Sequence, residues 1–588
     1  MPVTAENKAL SVSEYALPLV IAVTGHRDLV ASELAGIRER VRALFVELRE
    51  RYPDRTLSVM SALAEGADRL VAEVALELGI ELTVPLPMAK ADYLQDFATE
   101  DSREEFASLV ARAAEVFELP VARDLTQQQT ATPGSDRKRQ YAQLGVFLCA
   151  HCHILLALWD GKHGTELGGT GQVVKFHHDD IMPGYTPETL ATQQMLVDDE
   201  SDLVYHIVCS RDRPDGQAQQ GFAPLEWSWF TKDRDEPRSK EIPRQHQTIF
   251  KHSSEFSRDA ITFAKRIETE KYPLLDDGDM SHLPEGIDDI NDTFCIADWL
   301  AIHYQKKTLL TLRSIHVLAF LMGLMYILYL DVESVSYYMF AFLAFFVVSA
   351  SIHYFAKRDG WQRKYLDYRT LAEGLRVQFY WAAAGVTNES VSKFTHDNFL
   401  QTQDPELGWI RNVMRVAGTR CDAAPNTDPA GLKFALKNWI GDKDNGQLGY
   451  YRKKAHERVA KSRFTERLGL VSLVTSVIVM MLLVFATSYI PDNMSVPLMF
   501  VMGTMLLLFG VRQGYAFSTA EKELIKQYEF MLRIFYNARR RLDNADDAAE
   551  QRQVLLALGG SALDEHAEWI LMHRDRSVDQ GEIFRMGS

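Results

Sequence analysis

The sequence predicts a chain in two parts: an α/β domain built on a parallel sheet, then an all-α membrane domain with four transmembrane helices in two hairpins. Short apolar runs alternate with segments of helical periodicity over about the first 210 residues, which is typical of such a sheet. Four long apolar runs follow, and each approaches the roughly 17–25 residues that cross a bilayer core. The predicted spans are residues 314–331, 335–356, 468–490 and 496–517.

The overall composition excludes several classes of protein. The 588 residues carry a formal net charge of −16, which argues against a general nucleic-acid binder, because such proteins need a basic surface. Five cysteines are too few for a disulfide framework, so a reducing compartment fits. The first 20 residues lack a basic segment followed by an apolar core, and we expect no signal peptide there.

Six short apolar runs predict the strands of the N-terminal sheet, at residues 17–24, 57–61, 81–86, 116–119, 153–159 and 203–209. Helical patterns lie between them, at residues 32–51, 64–78, 102–114 and 138–150, and another helix begins at residue 172. Because strands alternate with helices, we predict a Rossmann-like parallel sheet covered on both faces. The polar residues 211–238 indicate a loop, and residues 245–271 a further helix.

A ligand site is predicted beyond the carboxyl ends of these strands, where open α/β sheets bind their ligands. Gly168-Gly169-Thr170-Gly171 precedes a helix, and free backbone N–H groups at a helix N-terminus suit a phosphate. His26 and Arg27 add side-chain donors for the same anion. The predicted ligand-binding residues are Thr24, Gly25, His26, Arg27, Ser61, Glu65, Gly66, Pro87, Trp159, Asp160, Gly161, Gly168, Gly169, Thr170 and Gly171.

Three motifs of this region resemble the SLOG superfamily: TGHRD, SALAEGADRLVAEVA, and ILLALWDG followed by GGTGQVV. The superfamily includes the LOG phosphoribohydrolases, the DprA proteins and the N-terminal region of TRPM channels. The resemblance implies a pocket for a nucleotide or a nucleotide-derived signal. The hydrolases carry PGGxGTxxE, but here Leu167 replaces the proline and Lys175 the glutamate, so the resemblance implies binding without an assigned catalytic residue. Glu65 and Glu166 are the nearby carboxylates that could substitute.

The distribution of lysine and arginine predicts the orientation of the two hairpins. Their turns, DVESVS and PDNMS, contain neither residue, whereas basic residues such as Lys306, Lys357, Lys453 and Arg512 flank the other ends. We therefore expect both hairpins to begin and end in the cytoplasm. This places the chain in the inner membrane as a multi-pass protein, with its N- and C-terminal regions in the cytoplasm.

The two hairpins have similar neighbours, which suggests a duplicated helix–hairpin–helix unit. Tyr451-Arg452-Lys453-Lys454 precedes the second as Tyr304-Gln305-Lys306-Lys307 precedes the first. These units resemble the SLATT modules, two-span membrane effectors that accompany SLOG domains in bacterial defence systems. Arg369, Glu373 and Arg376 are spaced to pair along one helix beside the first hairpin, and we predict that they couple sensor and spans.

The sequence thus predicts a ligand-binding domain at residues 1–220, a helical and linker region at 221–292, a first membrane module at 293–390, a cytosolic linker at 391–445 and a second membrane module at 446–588. The resemblances imply a nucleotide-gated channel or membrane-disrupting protein in antiphage defence, with neither cofactor nor metal. Since four spans cannot enclose a wide conduit, a pore requires a homo-oligomer. A membrane-tethered nucleotide hydrolase and a membrane-anchored scaffold remain as alternatives.

Overall fold

The computed structural model describes residues 15–122, 125–179, 181–186, 202–232, 238–275, 282–332, 334–386 and 407–575. The chain divides into two compact units. Unit 1 comprises residues 1–296 and 374–431, and unit 2 comprises residues 297–373 and 432–588. The finer division that the sequence predicts stays a prediction.

Unit 1 is organised around a seven-stranded sheet in the order β4-β3-β2-β1-β5-β6-β7. Its strands are β1 Leu19–Gly25, β2 Leu57–Met60, β3 Glu81–Leu86, β4 Glu115–Glu118, β5 Ile154–Trp159, β6 Val204–Val208 and β7 Trp227–Phe230. Strands β1 to β6 run parallel, whereas β7 pairs antiparallel with β6 at the edge. The predicted parallel α/β sheet is confirmed. Strand β7 was missed because its four residues lie inside the stretch predicted to be a loop.

The helices of unit 1 pack on the sheet through apolar residues at helical spacing. The described ones are α1 Leu34–Arg51, α2 Ala67–Glu77, α3 Lys90–Tyr93, α4 Glu100–Arg112, α5 Gln127–Ala131, α6 Ser135–Ala150, α7 Thr170–Asp179 and α8 Arg244–Glu270. Helix α1, for example, buries Ile37, Val41 and Leu44. Helix α4 begins at the cap residue Thr99, whose hydroxyl accepts a hydrogen bond from the Ser102 N–H.

Part of the stretch predicted as a cytosolic linker is helical. Gly408–Ala417 forms α12 and Thr419–Ala423 forms α13, and both belong to unit 1. The Trp409 ring lies 5.7 Å from the Phe256 ring of α8 and is fully buried. Residues 391–406 of the predicted linker lie outside the described residues. Its helical part contributes to the core of unit 1 because its apolar side chains are buried there.

Four helices are long and apolar enough to cross a membrane. They are α9 Ile287–Ile327 with the π-turn Leu328–Val332, α10 Ser336–Arg358, α15 Gly446–Phe485 and α16 Asp492–Ser518. Large apolar side chains on these helices face outward, such as Phe340, which is 71% exposed, and Phe485, which is 78% exposed. These exposed faces suit lipid. The third span ends earlier than predicted, at Phe485, and a 3₁₀ turn Thr487–Tyr489 follows it.

The remaining described helices of the second half are α11 Trp361–Ala384, α14 Pro429–Ala435, α17 Glu521–Leu542 and α18 Ala548–Asp575. Within unit 2, small residues bring α9 and α16 together. A Cβ atom on Gly323 would lie 2.6 Å from Leu507 Cδ1, and one on Gly503 would lie 3.3 Å from Ile327 Cδ1. Small residues at such contacts let membrane helices approach closely.

Filling the contact at Gly323 is expected to destabilise this packing. We expect Gly323→Leu to lower the stability of the full chain in detergent by about 1–3 kcal/mol, because the added side chain must displace Leu507. The matched control is Gly510→Leu, since a Cβ on Gly510 meets no atom within 4 Å. Thermal unfolding measures both variants. Equal effects of the two substitutions would show that the close contact does not hold the spans.

Candidate ligand-binding site

The strand register brings the predicted site residues together at one edge of the sheet. Thr24 of β1 pairs with Ala157 of β5, and Gly25 pairs with Leu158. The residues that follow β1 and β5 are therefore neighbours, as expected for adjacent parallel strands. Gly25 also allows α2 to approach closely, because a Cβ atom there would lie 2.3 Å from Ala67 Cβ.

His26 and Asp160 form a buried pair between these two strand ends. The Asp160 N–H donates to His26 Nε2 at 3.1 Å, and the same nitrogen lies 3.2 Å from Asp160 Oδ1. Burial alone would raise the pKa of Asp160, but the adjacent His26 imidazole and a hydrogen bond from the Lys162 N–H outweigh it and leave this pKa below its usual value. In this structure, His26 thus holds the loop after β5, and its role as an anion donor stays a prediction.

Arg27 is the exposed cation of this edge. Its guanidinium carbon lies 5.7 Å from the centre of the Tyr141 ring. Among the described residues it forms neither an ion pair nor a hydrogen bond within the usual distances. An exposed guanidinium without a carboxylate partner is free to bind a phosphate in two-pronged fashion.

The glycine-rich loop contributes fewer free donors than the sequence predicts. The Gly168 N–H donates to Gln172 Oε1 at 3.3 Å, and the Gly169 N–H donates to the Glu166 carbonyl at 3.0 Å. Thr170 and Gly171 begin α7, where backbone N–H groups have no partner within the helix. Among the described residues these two amides have no acceptor, and of the two only Thr170 is partly exposed, since Gly171 is buried against Lys162 and Gly164.

Tyr141 connects the glycine loop with Arg27, and sequence reasoning did not single it out. A Cβ atom on Gly168, where φ is +74°, would lie 3.0 Å from Tyr141 Cβ, so the loop lies directly against this residue. The face of the Tyr141 ring is turned to Arg27, and its hydroxyl donates to Asp96. Arg27 and the loop therefore contact the same side chain from different strand ends.

The turn after β2 packs against the backbone of Arg27. Gly66 has a φ of +78°, and a Cβ atom there would lie 2.3 Å from the Arg27 carbonyl oxygen. Ser61 is fully buried, and its hydroxyl accepts the Leu63 N–H at 3.3 Å. The Glu65 carboxylate accepts a hydrogen bond from the Ser102 hydroxyl. These contacts make Ser61 and Gly66 part of the framework of the site.

Three further predicted residues also belong to this framework. Trp159 donates from Nε1 to the Lys162 carbonyl at 3.0 Å. Gly161 has a φ of +84°, and a Cβ there would lie 2.9 Å from the Phe222 ring. Pro87 is buried directly after β3. We infer that all three shape the loops around the site without offering a group to a ligand.

Asp68 is a second residue that the sequence reading passed over. It lies buried in the first turn of α2. Burial raises its pKa to about 7, although a backbone hydrogen bond at Ala64 and the charges of Arg27 and Arg69 act in the opposite direction. The sequence signal that could have indicated Asp68 was its place in the motif AEGADR, at the start of a helix that follows a strand. Strongly shifted pKa values are frequent at functional sites.

Anion binding is expected to weaken as Asp68 loses its proton. The folded pKa of about 7 lies above the ordinary 3.8, so the carboxyl is largely neutral at about pH 6 and negative at about pH 8.5. The new charge beside Arg27 should lower the affinity for a cyclic mononucleotide, whose phosphodiester keeps its charge, about fivefold. Asp68→Asn should remove this pH dependence, whereas Asp101→Asn on α4 should preserve it. Titration calorimetry at both pH values measures the affinity. An affinity of the wild type that does not change with pH would contradict the predicted effect of Asp68.

The predicted coupling residues lie in two different contacts. Arg369 pairs with Glu373 one turn along α11 and with Asp298 of α9 at 3.2 Å. Arg376 instead lies over the Phe294 ring, with 5.1 Å between its guanidinium carbon and the ring centre. Nearby, the fully buried Asp367 binds Arg574 of α18 at 2.8 Å. Arg369 and Glu373 thus meet as predicted, with Asp298 as an additional partner.

Among the described residues, no group of three or more His, Cys, Asp or Glu side chains could hold a metal ion. The motif Cys149-Ala150-His151-Cys152-His153 has haem-attachment spacing, but its side chains are buried. His151 Nδ1 lies 2.8 Å from the Arg415 carbonyl oxygen, and His153 Nδ1 accepts the Val20 N–H at 3.0 Å. Burial raises the pKa of Cys152 to about 12, which disfavours the thiolate that metals need.

No family model matches this chain, and no curated protein matches it either. Its function is therefore inferred from the geometry at the edge of the sheet and from the four apolar helices.

Proposed function

We propose that this chain is a membrane effector of the cytoplasmic membrane whose N-terminal domain binds a nucleotide or a nucleotide-derived signal. The observation that carries the proposal is the position of Arg27. Its guanidinium has no ion pair among the described residues and shares Tyr141 with the glycine loop. A phosphate held there meets the guanidinium, the amides that begin α7 and an aromatic face.

The four apolar helices supply the membrane half of the proposal. Basic residues flank the hairpin ends and are absent from their turns, which favours a cytoplasmic location of both termini and of the ligand-binding domain. The resemblance to SLOG sensors and SLATT effectors implies that the chain acts as a ligand-gated channel or a membrane-disrupting protein in antiphage defence. Several copies are needed, because four helices do not enclose a wide conduit.

Coupling between ligand and spans requires that one conformation of the membrane region bind the ligand better. Two helices are suited to carry such a change, because the division between the units falls inside both. Ile287–Ile327 extends from unit 1 into the first span, and Trp361–Ala384 returns to unit 1 after the second. Arg369 and Asp298 join these two helices.

The binding half of the proposal is tested with the full chain in detergent. Cyclic mononucleotides, cyclic dinucleotides and ADP-ribose derivatives are added in turn, and thermal unfolding is recorded. We expect at least one of them to raise the midpoint by several degrees, because a ligand that binds only the folded state stabilises it. Saturable binding should follow in calorimetry. A panel without any shift, extended to mononucleotides and dinucleotides, would contradict a nucleotide-binding site.

One observation favours a second candidate, a membrane-tethered nucleotide hydrolase. Asp68 is a buried carboxyl near Arg27 with a pKa raised to about 7, a value suited to proton transfer at neutral pH. Glu65 and Glu166 suit this task less, because Glu65 accepts a hydrogen bond from Ser102 and Glu166 pairs with Lys138 at 3.2 Å on the surface. Release of free base from a nucleotide, abolished by Asp68→Asn and retained in Glu166→Gln, would establish hydrolysis.

A further inference from the structure

An acidic cavity lies in unit 1, and none of the predicted ligand-binding residues lines it. It has a volume of about 1220 Å³. Its floor is one face of strands β1 to β4, and its walls come from residues near the start of α9 and from α12 and α13. Among the described residues this part of the sheet face is open, and the cavity is large enough for a small molecule.

The strand register explains how the floor is composed. Val20, Ser58 and Glu81 stand side by side on β1, β2 and β3. One row further along, Met60, Thr83 and Glu115 are neighbours on β2, β3 and β4. The floor therefore combines apolar side chains with hydroxyl groups, and glutamates stand at its margin.

Two hydroxyl groups line this floor. Ser58 is only 8% exposed and lines the cavity, yet its hydroxyl has no hydrogen-bond partner among the described residues. The Thr83 hydroxyl, which also lines the cavity, has none in the same part of the chain. Both hydroxyls are therefore open to water or to a ligand in the cavity.

The charge of the lining is strongly negative. Six carboxylates face the cavity and two cations, Lys90 and Arg420, oppose them. Arg420 is shared, since it lies 2.9 Å from Glu115, 3.1 Å from Glu285 and 3.6 Å from Asp289. The six carboxylates are Glu81, Glu115, Glu118, Glu285, Asp289 and Asp292. One guanidinium cannot neutralise so many charges.

Burial is the main cause that raises the pKa of three of these carboxyl groups, and neighbouring carboxylates add to it. Burial and the charge of Asp288 raise the pKa of Asp289 to about 6, against the opposing charge of Arg420. Burial and the charges of Asp288 and Glu268 likewise raise the pKa of Asp292, against Lys271 and Asn291. Burial also raises the pKa of Glu115, which Arg420 lowers and Glu285 raises. A cation in the cavity would relieve this repulsion.

We propose that this cavity binds an aliphatic polyamine, with its ammonium groups on the acidic margin and its methylene chain on the apolar floor. The carboxylates are spread along the cavity, and no group of three or more in the described residues could hold a metal ion. A long cation with separated charges fits that spread, whereas a single metal ion does not. The Ser58 and Thr83 hydroxyls can accept hydrogen bonds from its N–H groups.

The site lies at the beginning of a helix that later becomes a span. Asp289 and Asp292 belong to the first two turns of Ile287–Ile327. A polyamine there would neutralise the carboxylates of Asp289 and Asp292 without occupying the predicted ligand site. The inference is independent of the proposed nucleotide function, because it rests on the cavity alone.

Calorimetry of the full chain in detergent with spermidine, at low salt and about pH 7.5, tests the proposal. We expect saturable binding that weakens about tenfold in Asp292→Asn and in Asp289→Asn, because each removes a charge-assisted contact. Asp292→Asn should also raise the midpoint of thermal unfolding without spermidine, since it removes a repelling charge. A substitution that merely damages the fold would lower the midpoint.

The matched control is Glu104→Gln, which removes an exposed carboxylate of α4 outside the cavity. It should leave spermidine binding unchanged. Thr83→Val should weaken binding modestly, because it removes a hydroxyl at nearly constant volume. Absence of saturable binding to the wild type would overturn the proposal. So would equal weakening in Glu104→Gln, or full displacement of spermidine by an equal concentration of Ca²⁺.

Discussion

Replacing Arg27 with glutamate is expected to weaken nucleotide binding about 100-fold. Loss of one charge-assisted hydrogen bond accounts for roughly 1.5–3 kcal/mol, and the new carboxylate repels the phosphate in addition. The fold should tolerate the change, because the Arg27 side chain is exposed and without an ion pair among the described residues. Calorimetry with the nucleotide that binds the wild type most tightly measures the effect at a fixed salt concentration.

Two comparisons make this prediction specific. Arg112→Glu changes an exposed arginine in the last turn of α4 and should leave the affinity within about twofold of the wild type. Arg27→Lys keeps the charge but loses the two-pronged geometry, so its affinity should lie between those of the wild type and Arg27→Glu. If Arg27→Glu bound the nucleotide as tightly as Arg112→Glu, the anion would lie elsewhere.

Removing Arg369 is expected to lower the stability of unit 2 strongly. Its side chain is 25% exposed, and its partners Asp298 and Glu373 are 14% and 11% exposed. Arg369→Met would remove a counter-charge from two poorly solvated carboxylates, which costs about 3 kcal/mol. Thermal or chemical unfolding of the full chain in detergent measures this loss.

A compensating variant separates the charge from the packing. Arg369→Met combined with Asp298→Asn and Glu373→Gln should recover most of the stability, because no uncompensated charge remains. Arg358→Met serves as the exposed control, since Arg358 is 57% exposed and pairs with its neighbour Asp359; it should cost less than about 0.5 kcal/mol. If the triple variant did not recover stability, the loss would come from the missing packing of the arginine side chain and not from its charge.

The sheet and the four apolar helices were predictable from the sequence because each rests on a local pattern. Buried parallel strands appear as short apolar runs, and the strand Glu81–Leu86 was predicted with the same bounds. Membrane-length helices appear as long apolar runs. Strand β7 lacks such a signal, because it lies at the sheet edge within a polar stretch and only one of its four residues, Trp229, is fully buried.

The candidate site was predictable in its location but less so in its details. The rule that ligands bind at the carboxyl ends of strands brought Arg27 and Gly168 to the same edge. Whether a polar group is free depends on tertiary contacts that a motif does not reveal. His26 pairs with Asp160, and the amides of Gly168 and Gly169 already have acceptors. Tyr141 and Asp68 matter through their neighbours in space, which no spacing in the sequence discloses.

The acidic cavity was beyond reach of the sequence for the same reason. Its carboxylates come from strands β3 and β4 and from the start of α9, and only the folded chain brings them together. Residues 391–445 were predicted to be a cytosolic linker, so the helices that form part of the cavity wall were not predicted. Gly408–Ala417 carries apolar residues at helical spacing, so this helix was recognisable in the sequence; only the fold shows that Trp409 is buried against Phe256.

The most direct test of the account is ion flux through liposomes that contain the full chain with its cytoplasmic side outward. A nucleotide that binds the wild type should change the flux at concentrations that match its affinity. The same nucleotide should have no effect on Arg27→Glu at those concentrations. An unchanged flux at saturating nucleotide, or an equal response from Arg27→Glu, would show that the N-terminal site does not control the membrane helices.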